Sequence, residues 1–298
     1  MMTKNEHEEI GPRQAFRGLV TWSKRNLADL GARLRPAPVA TPVDDAAAEA
    51  RRKFFEGREG NRYWWYRKTN HAYSPDCYSS LSNEEWRTLR DWFVTTDEDG
   101  LVGECSVPAI GWLTSLINSN NVSRVVQLGT YAGYSTLLIG WTLRRMGKVH
   151  GLMAVDIDPT VSSFTQTWMS KAGIDQQATM VVTDSAAPTL PERAREYLGG
   201  APQLVFIDSS HQYAHTLQEL DVWYDALPTG GIIAMHDTSA FAASFDSSGN
   251  GGVRRALTEW KQRRGIAAFD LSYDDEVLRT NQEVYLDGCG LGFIVKNS

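Results

Sequence analysis

The residues best suited to chemistry fall in short clusters, each directly after an apolar run. Two clusters stand out: Phe206-Ile-Asp-Ser-Ser-His-Gln-Tyr213, which carries Asp208 and His211, and Met235-His-Asp-Thr238, which carries His236 and Asp237. Carboxylates and an imidazole released from adjacent strand ends into one cleft suit Mg2+, which takes oxygen ligands and keeps waters, or Mn2+, which accepts imidazole more readily. Asp208, His236 and Asp237 are the candidate metal ligands. The competing reading is a hydrogen-bonded polar network without an ion.

A second group lies earlier in the chain. In Gln127-Leu-Gly-Thr-Tyr-Ala-Gly-Tyr-Ser135, Gly129 and Gly133 are four apart, so the backbone can turn tightly and approach a ligand before a helix begins. The spacing differs from the GxGxxG dinucleotide fingerprint, and a tight turn without a ligand is the plainer alternative. Asp156, 27 residues beyond Gly129 in Ala154-Val-Asp-Ile-Asp-Pro159, can accept ribose hydroxyls. Thr183-Asp184-Ser185 offers a carboxylate for an adenine amino group. Three polar strand ends in successive units point to one cofactor site.

From residue 124 onward, short apolar runs alternate with helical segments, which predicts an α/β fold with a mostly parallel sheet and helices on both faces. Seven strands are predicted: Val125–Leu128, His150–Val155, Thr179–Val182, Leu204–Ile207, Gly231–Met235, Ala267–Leu271 and Gly292–Val295. The last two lack an intervening helix and are predicted to pair as an antiparallel hairpin. Such a sheet is Rossmann-like, and it would bring Asp156, Asp184, Asp208 and Asp237 to one edge.

The part before the sheet reads as a helical extension. Residues 15–34 form a basic amphipathic pattern, and three prolines follow within residues 36–42, which gives an appendage and linker over 1–45. Residues 46–103 are predicted to be a helical lid, substrate or oligomerisation segment, with helices from Ala46 to about Gly57 and after the capping sequence Ser82-Asn-Glu-Glu85. The run Tyr63-Trp-Trp-Tyr-Arg-Lys68 could stack bases, but a lid or a dimer contact fits better, and a homo-oligomer is expected. A further helix over about Val107–Asn118 opens the last segment, 104–298, and leads into the sheet.

Composition narrows the partners. Residues 13–68 hold 13 Lys/Arg against 6 Asp/Glu, whereas residues 69–298 hold 16 against 27, so the main body is acidic and nucleic acid is a poor candidate. Three widely spaced cysteines, Cys77, Cys105 and Cys289, make neither a CxxC pair nor a zinc pattern and fit a reducing, cytoplasmic setting. The charged start and the lack of a long apolar run argue against secretion and a membrane span.

Over roughly residues 104–298 these motifs resemble class I S-adenosylmethionine-dependent methyltransferases, in particular the metal-dependent O-methyltransferases of macrolide sugars and the cephalosporin-hydroxylase-like group. The resemblance implies S-adenosyl-L-methionine as cofactor, with its methionine part at Gly129 and Gly133 and its ribose on Asp156. Gln127 replaces a frequent Glu or Asp facing the cofactor's amino group, and Tyr131, Ser135, Asp184, Ser185 and Asp208 complete the implied cofactor set. It makes Asp208 a metal ligand and His211 the general base, with His215 as the competing base; His236 stands where the sugar-modifying enzymes carry an acidic ligand. The expected reaction is O-methylation of a small molecule or sugar, in natural-product biosynthesis. The rivals are a hydroxylase-like relative and a non-catalytic partner protein with a vestigial cofactor fold.

Overall fold

Aliphatic runs between Gly, Asp and Ser punctuation form the sheet. The computed structural model describes residues 45–56, 58, 61–63, 74–272, 285 and 287–297. The basic pattern at 15–34, the proline stretch and residues 64–68 lie outside them. The chain divides at Ala46/Ala47, and Ala47–Ser298 forms one unit.

The strands are β1 (Val125–Leu128), β2 (Leu152–Asp156), β3 (Ala178–Val182), β4 (Leu204–Ile207), β5 (Ile232–His236), β6 (Ala268–Leu271) and β7 (Leu291–Val295), in the order β3-β2-β1-β4-β5-β7-β6. The first five run parallel, and β7 pairs antiparallel with both β5 and β6. Two boundaries move in ways that matter. His150 has φ +49° and belongs to the turn before β2, while His236 is the last residue of β5 and is thereby fixed by the ladder.

In the register, Leu128 stands opposite Val155 and Ile207, so the carboxyl ends of β1, β2 and β4 are level. Chain order reverses at β1, and this is the crevice where open α/β sheets bind ligands.

Alternation along each strand feeds two cores, one on each face. Val125, Leu204 and Phe206 face one core, and Val126, Leu128, Val205 and Ile207 face the other. The helices α1 (Asp45–Phe55), α2 (Asn83–Glu98), α3 (Val107–Ser119), α4 (Tyr134–Arg145) and α5 (Pro159–Lys171) cover the first, through Phe55, Trp92, Ile110, Leu137 and Trp168. Those of α6 (Leu190–Leu198), α7 (Tyr213–Ala226) and α8 (Gly252–Arg264) cover the second, through Leu190, Trp223 and Trp260.

The helices before the sheet therefore share the core of the sheet. α2 begins with the expected capping box: Glu85 N–H donates to Ser82 Oγ at 3.1 Å, and Ser82 N–H to Glu85 Oε2 at 2.8 Å. Tyr63 is buried against Phe55 and Phe93 and donates to Asp97 Oδ2 at 2.8 Å, so this member of the aromatic run packs in the core and offers no stacking surface. Arg62 beside it grips Glu104 with Nε and Nη2 and Asp97 with Nη1. That clamp ties α2 to the loop ahead of α3, which lines the site below.

Candidate active site

The turn after β1 is built from backbone. Gly129, Tyr131 and Gly133 have φ of +84°, +43° and +91°. At Gly129 no side chain fits, because a Cβ would overlap the carbonyl oxygen of Asp208 directly after β4. The turn is thus pressed onto the neighbouring strand end. Trp92 Nε1 donates to Ala132 O at 2.7 Å and Thr165 Oγ1 to Tyr131 O at 2.7 Å, so α2 and α5 hold its outer side. α4 starts from Gly133 with no side-chain cap, which leaves first-turn N–H groups for a ligand, and Tyr134 and Ser135 at that end line a cavity.

Gln127 is fully buried beneath this turn. Its amide donates to Gly129 O and Ser135 Oγ, at 3.0 and 2.8 Å, and accepts from Thr136 Oγ1 at 3.0 Å. It stands behind the cavity wall and shapes the turn from below. Asp156 also braces the turn: Oδ2 accepts from Thr130 N–H and Tyr131 N–H at 2.9 and 3.0 Å, while Oδ1 accepts from Asp158 N–H at 3.1 Å. One lone pair of Oδ1 remains for an outside donor.

At the end of β3, exposed Asp184 binds His215 Nε2 at 2.9 Å and Ala186 N–H at 2.9 Å; these bonds hold its carboxyl below the usual range. His215 Nδ1 meets Ser210 Oγ at 2.8 Å. The candidate rival base is thus occupied on both nitrogens. Ser185 and Ser209 donate to Glu219, which is fully buried and whose carboxyl burial pushes up. Glu219 was missed in the sequence, although it sits on the apolar face of α7 with Thr216, Leu220 and Trp223, where a carboxylate is out of place.

The charged centre lies across the crevice. His211 Nε2 is 3.0 Å from Asp237 Oδ2 and 3.9 Å from Asp208 Oδ1. His236 Nδ1 is 3.4 Å from Oδ1 of each carboxylate. Burial opposes charge on every one of these groups, yet the pairs prevail: His236 and His211 hold Asp208 and Asp237 low. Burial likewise works against a charged His211, but the neighbouring carboxylates of Asp208 and Asp237 push it up to about 10, and Asp237, Asp287 and Asp208 push His236 well up. Ligand atoms of Asp208, His211 and Asp237 all lie within 4.8 Å of one another.

A cavity of about 690 Å³ joins the two halves. Its wall includes Gly129, Tyr131, Ser135, Asp156, Asp184, Ser185, Asp208 and His211, together with Val102–Cys105 ahead of α3 and His215. Gly133, His236 and Asp237 stand behind this surface. Tyr213, at the start of α7, turns its hydroxyl to Glu259 on α8.

Residues 126–238, which span β1 to the end of β5, match the family model of a methyltransferase domain. These residues thus carry a methyltransferase domain. This domain's fold is that of the O-methyltransferase TomG from Streptomyces achromogenes, involved in tomaymycin synthesis and solved with SAM, at TM-score 0.55 and 18% identity over 80% of this chain and 100% of that one. In sequence the domain is 30% identical over 122 residues to a transmembrane O-methyltransferase of Propithecus coquereli, covering 41% of this chain and 43% of that protein. It is 29% identical over 116 residues to a catechol O-methyltransferase of Niastella koreensis, covering 36% of this chain and 50% of that protein. The alignments thus span half or less of these curated relatives. Among the described residues no helix is long and apolar enough to cross a membrane.

Proposed function

We propose that this methyltransferase domain transfers the methyl group of S-adenosylmethionine to a hydroxyl of a small molecule, with His211 as the base. The observation that carries this reading is one cavity lined on one side by the turn and Asp156, and on the other by Asp208 and His211. The acidic wall, with Asp156, Asp158, Asp184 and Asp208, suits a cationic sulfonium, and the uncapped start of α4 suits the methionine carboxylate.

The reaction is an in-line displacement. The acceptor oxygen forms a bond to the methyl carbon, the carbon–sulfur bond breaks with its electron pair going to sulfur, and the hydroxyl proton passes to the imidazole of His211. S-adenosylhomocysteine leaves as a neutral sulfide.

Two carboxylates this close, backed by imidazoles, also fit a divalent ion. Asp208 and Asp237 would hold it, with His236 behind them, and such an ion lowers the pKa of a hydroxyl bound to it. An ion held by Asp208 and Asp237 would offset the two carboxylates that favour a proton on His211, and the ring would then serve as the acceptor. The test is transfer of labelled methyl to a panel of phenolic and sugar hydroxyls, before and after exhaustive chelation. Labelled product that disappears on chelation and returns with Mg2+ or Mn2+ supports the reading. Cofactor binding without transfer to any acceptor, or turnover unaffected by chelation, counts against the activity or the ion respectively.

A further inference from the structure

His236 has two ring nitrogens, and only Nδ1 faces the site described above. Nε2 points the other way, is buried, and makes no hydrogen bond among the described residues, although Asp287 Oδ2 is 3.4 Å away. Beyond it lie two residues of the segment that enters β7. Asp287 is 1% exposed, and Cys289 is a free thiol. Nε2, a carboxylate oxygen of Asp287 and Sγ of Cys289 lie within 4.8 Å of one another.

We infer that His236, Asp287 and Cys289 form a second metal site, for a zinc-class ion, separate from the oxygen-rich pair Asp208 and Asp237. The donor set, one nitrogen, one oxygen and one sulfur, is that of zinc and not of magnesium. Ligand atoms around a tetrahedral zinc stand about 3.3–3.6 Å apart, given its usual bond lengths. The His236–Asp287 distance of 3.4 Å already falls there.

The surroundings match the habit of such sites. A metal-bound histidine usually donates its other N–H to a carboxylate, and His236 Nδ1 has Asp208 and Asp237 each at 3.4 Å for that purpose. Cys289 is fixed from both sides: its N–H donates to Asp287 Oδ1 at 3.2 Å, and its carbonyl accepts from Ser239 N–H at 2.8 Å. Three carboxylates, the buried Asp237 and Asp287 and the half-buried Asp208, stand against two imidazoles, His236 and His211, an excess of negative charge that a dication offsets. The ion would join the end of β5 to the start of β7 and set the ring of His236 behind the acceptor site.

The inference does not depend on methyl transfer, and its test reads no turnover. The full chain, stripped of metal, is titrated with Co2+, which reports a thiolate ligand through a sulfur-to-cobalt charge-transfer band in the near ultraviolet. The expected result is one such band, abolished by Zn2+ and by Cys289→Ser, retained in Cys105→Ser, and retained in Asp237→Asn with metal affinity lowered by about 10–100-fold. In the unmodified chain, Zn2+ should shield Cys289 from alkylation, a readout that needs no variant. Absence of the band, its survival in Cys289→Ser, or alkylation of Cys289 unchanged by Zn2+ would overturn the site.

Discussion

The two halves of the crevice are built on opposite principles. The half at β1 to β3 is made of backbone: two glycines at positive φ, an uncapped helix start, and polar side chains such as Gln127 and Asp156 that are largely occupied in holding the turn. The half at β4, β5 and β7 is made of charge, with two carboxylates and two imidazoles within a few ångströms. A backbone cradle presents the same donors whatever the pH. A cluster of buried ionisable groups can hold and release a proton or an ion, which is what a reaction requires.

The tightest contact between the halves lies at Gly129, and breaking it should have the largest effect. A methyl group at Gly129 meets the Asp208 carbonyl and must also adopt φ +84°. Gly129→Ala should therefore cost about 2–5 kcal/mol of stability, from left-handed strain and overpacking together, and disturb both halves at once. Thermal denaturation and calorimetry with S-adenosylhomocysteine check this. A variant of normal stability and affinity would mean that turn and strand are not coupled.

The next two substitutions separate the halves. His211→Ala should lower turnover by about 10²–10⁴-fold, the usual contribution of a positioned base, with cofactor affinity nearly unchanged. If His215→Ala carries that loss instead, proton removal belongs to the other half of the cavity. Asp156→Asn should do the reverse and weaken cofactor binding by about ten- to a hundredfold, as expected when a charged acceptor is lost. Calorimetry measures this directly. Unchanged affinity would leave Asp156 with the turn alone.

The same division explains what could be read from the sequence. The sheet was legible because strand periodicity and the antiparallel last hairpin are local patterns, and β1 and β4 have the predicted bounds. Cavity residues such as Asp184 and Asp208 were legible because strand ends deliver side chains to one edge whatever the details. Gln127 shows the limit: its type and place suggest a ligand contact, but the amide is spent on Gly129, Ser135 and Thr136, and hydrogen-bond direction leaves no trace in spacing. Tyr63 shows another, since burial by α1 and α2 is a tertiary event. Asp287 and Cys289 stand some fifty residues beyond His236, and no motif links them.

The smallest expected effect tests whether the charged half is held in place by charge of its own. Asp246, in the segment after β5, accepts from Ser248 Oγ at 2.6 Å, from Gly252 N–H at the start of α8 at 2.9 Å, from Ser248 N–H at 2.9 Å, and from Tyr213 N–H at the start of α7 at 3.4 Å. Burial opposes its charge, but these bonds dominate and lower the carboxyl to about 2. Because the folded value lies below the unfolded one of about 3.9, this carboxylate stabilises the fold above pH ~4 and loses that contribution as pH falls toward ~2. Asp246→Asn should therefore remove part of the acid sensitivity. At neutral pH it should cost about 1–2 kcal/mol, as the loss of a helix cap does, or roughly 2–8 °C in Tm. Affinity for S-adenosylhomocysteine should stay as it was, since none of these bonds reaches the backbone cradle. An acid denaturation profile identical to that of the unmodified chain would show that the helices flanking the charged centre are held by packing alone.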